Sequence, residues 1–202
     1  MHRPHSSLLW RGVGGEGCWI RDDGLFCIYS HNKNNLLVFY VADDPQLRTK
    51  IDSVKANRYA LKTAESMHTF EFISEGPSGI IAKLISFEQT ETEHIFNLAF
   101  GDKNHQTGEI DDHAVTHNHD TEKVLATVAL AVLIFTDRFP NATIYVEGST
   151  ASRNRLYRIG ISKFHSEITR DFIILGLRNE QWEAFQHNLN YECFVVKRKT
   201  IL

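Results

Sequence analysis

The order of apolar and polar residues changes period several times along the chain, and each change marks an element. HTFEFISE, residues 68–75, alternates and predicts a strand; EGPSG, with one proline and two glycines, predicts a turn. IIAKLISFEQ is the next strand. After the polar TETEH comes HIFNLAFG, with Phe96, Leu98 and Phe100 on one face and Ile95, Asn97 and Ala99 on the other. The three strands predict an antiparallel meander. The long polar loop DKNHQTGEIDDHAVTHNH then leads to a helical period.

That helix begins at Asp120, a good N-cap, with Glu122 suited to the positive helix end. Leu125, Val128, Ala129, Val132, Phe135 and Phe139 recur at helical spacing over a broad face, which predicts burial against a sheet. Pro140 stops it. ATIYVE is a strand too apolar for an edge, Ser149 or Thr150 caps a second helix, and DFIILGL and YECFVVKRK are the last two strands, joined by a loop carrying Trp182 and Phe185. From Met67 the order is βββαβαββ. The expected fold is one α/β domain, a mixed sheet packed by two helices, over residues 57–202.

Residues 1–56 read differently. LFCIYS and LLVFYVA are short apolar runs that pair as a hairpin on either side of SHNKNN. Gly12, Gly14 and Gly17 match G-x-G-x-x-G, but CWIRDDG follows rather than a helix, so the dinucleotide fingerprint lacks its context. The segment is expected to be a flexible extension or an upstream stretch from a start codon chosen too early, with Val54 and Met67 as alternative starts.

Composition narrows the classes. Hydrophobic residues at 42 % and charged residues at 23 % describe a globular domain. A net charge of −3 means that any nucleic-acid binding needs a local patch. Three cysteines, an odd number without metal spacing, point to a reducing cytoplasm. The longest apolar run, Val124 to Phe135, is too short for a bilayer, so no membrane partner is expected.

Candidate chemistry gathers in VEGSTASRNRLYRIGI, residues 146–161, with three arginines within six residues. On a helical wheel Leu156, Tyr157, Gly160, Phe164 and Ile168 share a face, and Arg153 falls on it in the first turn; Arg155 and Arg158 point away as solvated charges. Arg153 therefore stands where a strand end meets a helix start, the usual ligand position of open α/β sheets. With Gly148, Ser149 and Thr150 it forms a candidate site for an anionic small molecule. The competing role for Arg153 is an ion pair with Glu147 or Glu122. For Tyr157 it is a core aromatic.

Eleven histidines are many, and several crowd into the loop at 105–119. His113 and His117 have helical ligand spacing, but the segment is turn-rich and no metal site is assigned. Asp111, Asp112, Glu122 and Glu147 are a possible carboxylate set for Mg²⁺, with Glu71 the one mid-strand acid of the first strand; a metal-dependent nuclease of ribonuclease H type is the second alternative.

Residues 58–199 resemble a family of small uncharacterised bacterial proteins, mostly from Bacteroidetes, through FEFISEGPSG, FNLAFGD, TGEIDD, DTEKVLATVA, EGSTASRNRLYRIGI and NYECFVVKRK. The resemblance implies a bacterial cytosolic protein and places residues 1–56 outside the domain; it implies no activity.

More remotely, the βββαβαββ order is similar to the core of the GNAT N-acetyltransferases, and Leu156-Tyr157 with Gly160-Ile161 resembles their helix element, one residue shorter between Tyr and Gly. That resemblance implies acyl transfer, with Tyr157 as the acid that protonates the leaving thiolate. It also implies that the helix ends near Gly160, with ISKFHSEITRD as a separate turn. The chain departs from it before the first long helix, where a glycine-bearing pyrophosphate loop is replaced by THNHDTEKV. The alternative is a non-enzymatic interaction protein, such as one member of a toxin–antitoxin or defence pair. It would use Arg153, Arg155, Arg158 and the tail Lys197-Arg198-Lys199 on a protein or RNA partner. The sequence does not decide whether the chain is an enzyme, and it assigns no cofactor.

Overall fold

A computed structural model describes residues 9–12, 16–20, 26–30, 39–41, 58–63, 66–111 and 118–199. Strands β1 (Leu9–Gly12), β2 (Glu16–Ile20), β3 (Phe26–Ser30) and β4 (Phe39–Val41) pair in sequence order as a four-stranded antiparallel sheet. The hairpin expected of LFCIYS and LLVFYVA is the β3–β4 pair, with Phe26 opposite Val41. Gly12 lies opposite Gly17 in an antiparallel ladder, so those glycines flank a strand-to-strand connection and not the strand-to-helix turn that a dinucleotide requires.

The meander follows the alternation. Strands β5 (Lys62–Thr63), β6 (Thr69–Gly76), β7 (Gly79–Gln89) and β8 (Ile95–Lys103) pair antiparallel in order. The turn after β6 holds Pro77 and Ser78 between the paired Gly76 and Gly79. Gly79 has φ +102°, a left-handed conformation open to glycine at no steric cost. Phe70 and Phe72 of β6, Ile85 and Phe87 of β7, and Phe96 and Leu98 of β8 are buried on one face of the sheet.

The short β9 (Ile110–Asp111) pairs with the far end of β8. Helix α1 (Thr121–Arg138) then crosses to β10 (Thr143–Val146), which lies parallel to β8. The helix buries more than its expected stripe: Val124, Ala126, Thr127, Leu130 and Ala131 are buried with Leu125, Val128 and Phe135. Phe135 stacks on Phe87 with ring centroids 4.1 Å apart, and Phe139, just past the helix, lies against Phe135 and Phe96. The apolar core also includes Tyr59 and Leu61, upstream of Met67.

The second expected helix is not continuous: α2 (Ala151–Lys163) ends at Phe164, and α3 (His165–Asp171) follows, so among the described residues there are three helices where two were expected. Only Tyr157 and Gly160 of α2 are buried; Phe164 and Ile168, assigned to the same face, belong to the break and to α3. The loop after β11 (Phe172–Arg178) also contains a further strand, β12 (Gln181–Ala184), before β13 (Cys193–Arg198). The nine-stranded mixed sheet runs β12-β11-β13-β10-β8-β7-β6-β5, with β9 beside β8. β13 pairs antiparallel with both β10 and β11, so β10 and β11 run parallel with one strand between them. No helix among the described residues is long and apolar enough to cross a membrane.

Candidate functional site

The parallel pair at the centre of the sheet sets the geometry. β8 and β10 are in register only over Ile95–Leu98 and Thr143–Val146. Beyond Leu98, β8 continues to Lys103, while β10 ends at Val146 and the chain turns into α2. The parting leaves a cleft of about 330 Å³. One wall is residues 97–100 of β8; the other is Glu147, Gly148, Ser149, Arg153 and Tyr157.

The turn that carries this second wall is held by local bonds. Thr150 is the N-cap of α2, and its Oγ1 accepts from the Arg153 N–H at 3.2 Å. The Gly148 N–H donates to Asn154 Oδ1 at 2.6 Å, and the Asn154 amide in turn donates to the Glu192 carbonyl. Arg153 Nη1 donates to Ser149 Oγ at 2.7 Å, which aims the guanidinium along the turn. Two N–H groups at the strand-to-helix turn are thus used within the protein. The anion-binding capacity of this corner rests on the Arg153 fork and on hydroxyls more than on backbone donors.

Tyr157 sits one helical turn beyond Arg153, 7 % exposed, with its ring edge-on to Phe100 at 5.5 Å. It is both a core aromatic and part of the cleft wall. Glu147 accepts from the Tyr145 hydroxyl at 2.7 Å, and Glu122 pairs with Lys163. Burial, then the adjoining Cys193 thiol and the Glu147 carboxylate, hold the Tyr145 phenol well above its usual range.

Arg155 is exposed, as its wheel position implies. Arg158 differs from the expectation of a solvated charge: its guanidinium bonds to the Leu189 carbonyl and the Asn190 side chain, fastening α2 to the loop before β13. Arg198 Nη2 donates to the Leu133 carbonyl at 3.0 Å and Lys199 Nζ to the Thr169 carbonyl at 2.7 Å.

The start of α1 is a second place where an anion would meet helix N–H groups, and there a carboxylate of the chain, Asp120, stands close by. Asp120 stands at the N-cap but makes no capping bond. Its Oδ2 instead accepts from the Tyr59 hydroxyl at 2.8 Å and from the buried Ser74 hydroxyl at 2.6 Å. Asn118, 2 % exposed, donates to Ser74 Oγ and to the Gly79 carbonyl, and accepts from the Ser78 N–H. Two hydroxyl donors reward the carboxylate more than one backbone N–H would, which is why the expected cap is absent. A CoA pyrophosphate is disfavoured at this position: the Asp120 carboxylate stands beside the helix start, and no glycine of residues 118–121 lets the backbone approach.

His113, His117 and Asp112 lie outside the described residues. Asp111 is in β9 opposite Asp102, and Glu71 pairs with Lys103. No group of three or more histidine, cysteine or acidic side chains suited to a metal occurs among the described residues.

Sequence reasoning missed Asn154 and the whole β8 wall. Asn154 reads as one more polar residue of a helix start. Residues 97–100 carry no chemical signal of their own and acquire a role only by lying across from Gly148. No match was found among curated proteins or among solved structures. Residues 55–199 match a family of unknown function, DUF6934, and the chain belongs to that family.

Proposed function

We propose that the protein binds an anionic small molecule in the cleft between β8 and β10, with Arg153 and Ser149 holding the charge and Gly148 and Thr150 shaping the turn. The observation that carries this reading is the parting of the sheet's parallel pair at Leu98 and Val146, with Arg153 and Tyr157 on the wall so opened. A guanidinium has five N–H donors, so an oxyanion adds to the bonds that Arg153 already makes.

The enzymatic form of the proposal is acyl transfer on a GNAT-like frame. Strand order β8-β10-β13-β11, with α1 leading into β10 and α2 and α3 joining β10 to β11, supports the frame, and a tyrosine in the cleft supports an acid for the leaving group. The Asp120 carboxylate beside the start of α1, and the lack of a glycine there, argue that the acyl carrier is not gripped at that point by a pyrophosphate.

The test is a thermal-shift series on the full chain with inorganic phosphate, nucleotides, phosphorylated metabolites and CoA at millimolar concentration. Binding to the folded state alone raises the midpoint. The expected result is a rise with at least one anion that disappears in Arg153→Gln. No rise with any of them removes the reading. A non-enzymatic interaction protein, in a toxin–antitoxin pair or on RNA, draws less support, because Arg158, Arg198 and Lys199 are each bonded to carbonyls of the fold.

A further inference from the structure

Beneath the polar cleft lies a second space of opposite character. It is about 100 Å³, between the helices and the sheet. Leu125, Val128 and Ala129 of α1, Ile161 of α2, and Ile174 and Val196 of the sheet wall it, and no charged side chain lines it among the described residues. Leu98 and Tyr157 line both this chamber and the cleft above it. Past Phe164, at the break between α2 and α3, an adjoining void of about 80 Å³ shares Ala129, Phe164, Ile168 and Phe172 with the chamber.

Protein interiors are packed nearly as densely as organic crystals, and voids much larger than a water are few. A recess lined by hydrocarbon offers water no hydrogen-bond partners and takes apolar guests. Here the void is not isolated: it meets a cleft carrying a guanidinium, across the shared side chains Leu98 and Tyr157. The break at Phe164 has the same logic. A continuous α2 would carry Phe164 and Ile168 on along one helix axis; the break instead sets them around the two voids.

We propose that the ligand is an amphipathic monoanion, a straight hydrocarbon chain ending in a carboxylate or phosphate. Its head lies at Arg153 and Ser149, and its chain passes between Leu98 and Tyr157 into the chamber under α2. This rests on reading the cleft as the anion site, and it adds the chain as the part that confers selectivity. Tyr157 is then the neck of the site, touching the first carbons beyond the head.

Isothermal titration of the full chain with straight-chain carboxylates from acetate to tetradecanoate tests this, with inorganic phosphate as a head-only probe and 1-octanol as a tail-only probe. The expected result is an affinity gain of about fourfold per added methylene while the chain is being buried, then a plateau. Ala129→Phe, which fills the chamber, should abolish the gain while leaving phosphate binding in place; Arg153→Gln should weaken every carboxylate and leave octanol unchanged. Should Ala129→Phe fail to fold, methyl NMR of the unaltered chain with octanoate replaces it, with shifts expected at Leu98, Val128 and Ile161. Anion binding with no dependence on chain length overturns the chamber and spares the cleft. Chain-length dependence that octanol matches and Arg153→Gln does not change overturns the amphipathic ligand and the anion site together. Methyl shifts confined to exposed residues such as Ile80 overturn the chamber as well.

Discussion

Gly148 and Asn154 lock together at the corner of the cleft. The Gly148 N–H donates to Asn154 Oδ1 at 2.6 Å, and a Cβ on Gly148 would lie 2.4 Å from the Asn154 backbone nitrogen. The side chain of one residue and the missing side chain of the other are two halves of one device, which brings α2 close to the end of β10.

Gly148→Ala must therefore move the start of α2, since the clash is with backbone and not with the end of a flexible side chain. The expected cost is about 1–3 kcal/mol. Asn154→Ala removes the bonds to Gly148 and Glu192 and should cost a similar ~1–3 kcal/mol. The pair shares partners, so the double variant should cost less than the sum. Urea unfolding of the four proteins measures this; additive losses would show that the two residues act separately.

Arg153→Gln separates binding from stability. The side chain is half-buried on an open wall, so unfolding free energy should change by less than about 1 kcal/mol. Binding of whichever anion shifts the melting midpoint should weaken by about tenfold to a hundredfold, as for one lost charge-assisted bond. A large loss of stability with binding intact would make Arg153 a structural residue.

Asp120→Ala leaves the buried Ser74 hydroxyl and the Tyr59 hydroxyl without their shared acceptor. The expected cost is about 1–3 kcal/mol. Asp120→Asn keeps an acceptor oxygen and should recover part of it. Denaturant midpoints decide this, and an unchanged midpoint in Asp120→Ala would show that water replaces the carboxylate.

Stability should fall on the alkaline side. Burial raises the Cys193 thiol above its usual 9.0 and the phenols of Tyr59, Tyr145 and Tyr191 above 10.0. The unfolded chain releases these protons first as pH rises, so the native state binds more protons there. The contribution is complete below about pH 9 and is lost as pH climbs towards the folded-state values. Melting midpoints should be level up to about pH 8.5 and drop beyond it. Cys193→Ala should delay the onset of the drop; a flat profile through about pH 10.5 would contradict the assignment.

Much of this was legible because it is local. Phe70 and Phe72, two apart, could share only one face of a strand. Arg153 and Tyr157, four apart, could share only one side of a helix. Gly148, Ser149 and Thr150 between an apolar run and a helical period could only be a turn. What failed was also local in origin. The wheel continued through Phe164 because periodicity does not register a change of helix axis. Asp120 was expected to cap because propensity does not know that Tyr59 and Ser74 offer it two hydroxyls.

Strand and helix periods, turn residues and the α/β order were determined by the chain itself, since each depends on neighbours within a few positions. Tertiary structure alone decided which strand faces Gly148, that β8 and β10 part after four paired residues, and that an apolar chamber adjoins the cleft across Leu98 and Tyr157. Those outcomes depend on how side chains from distant segments fill a shared volume, and packing of that kind leaves no period in the sequence.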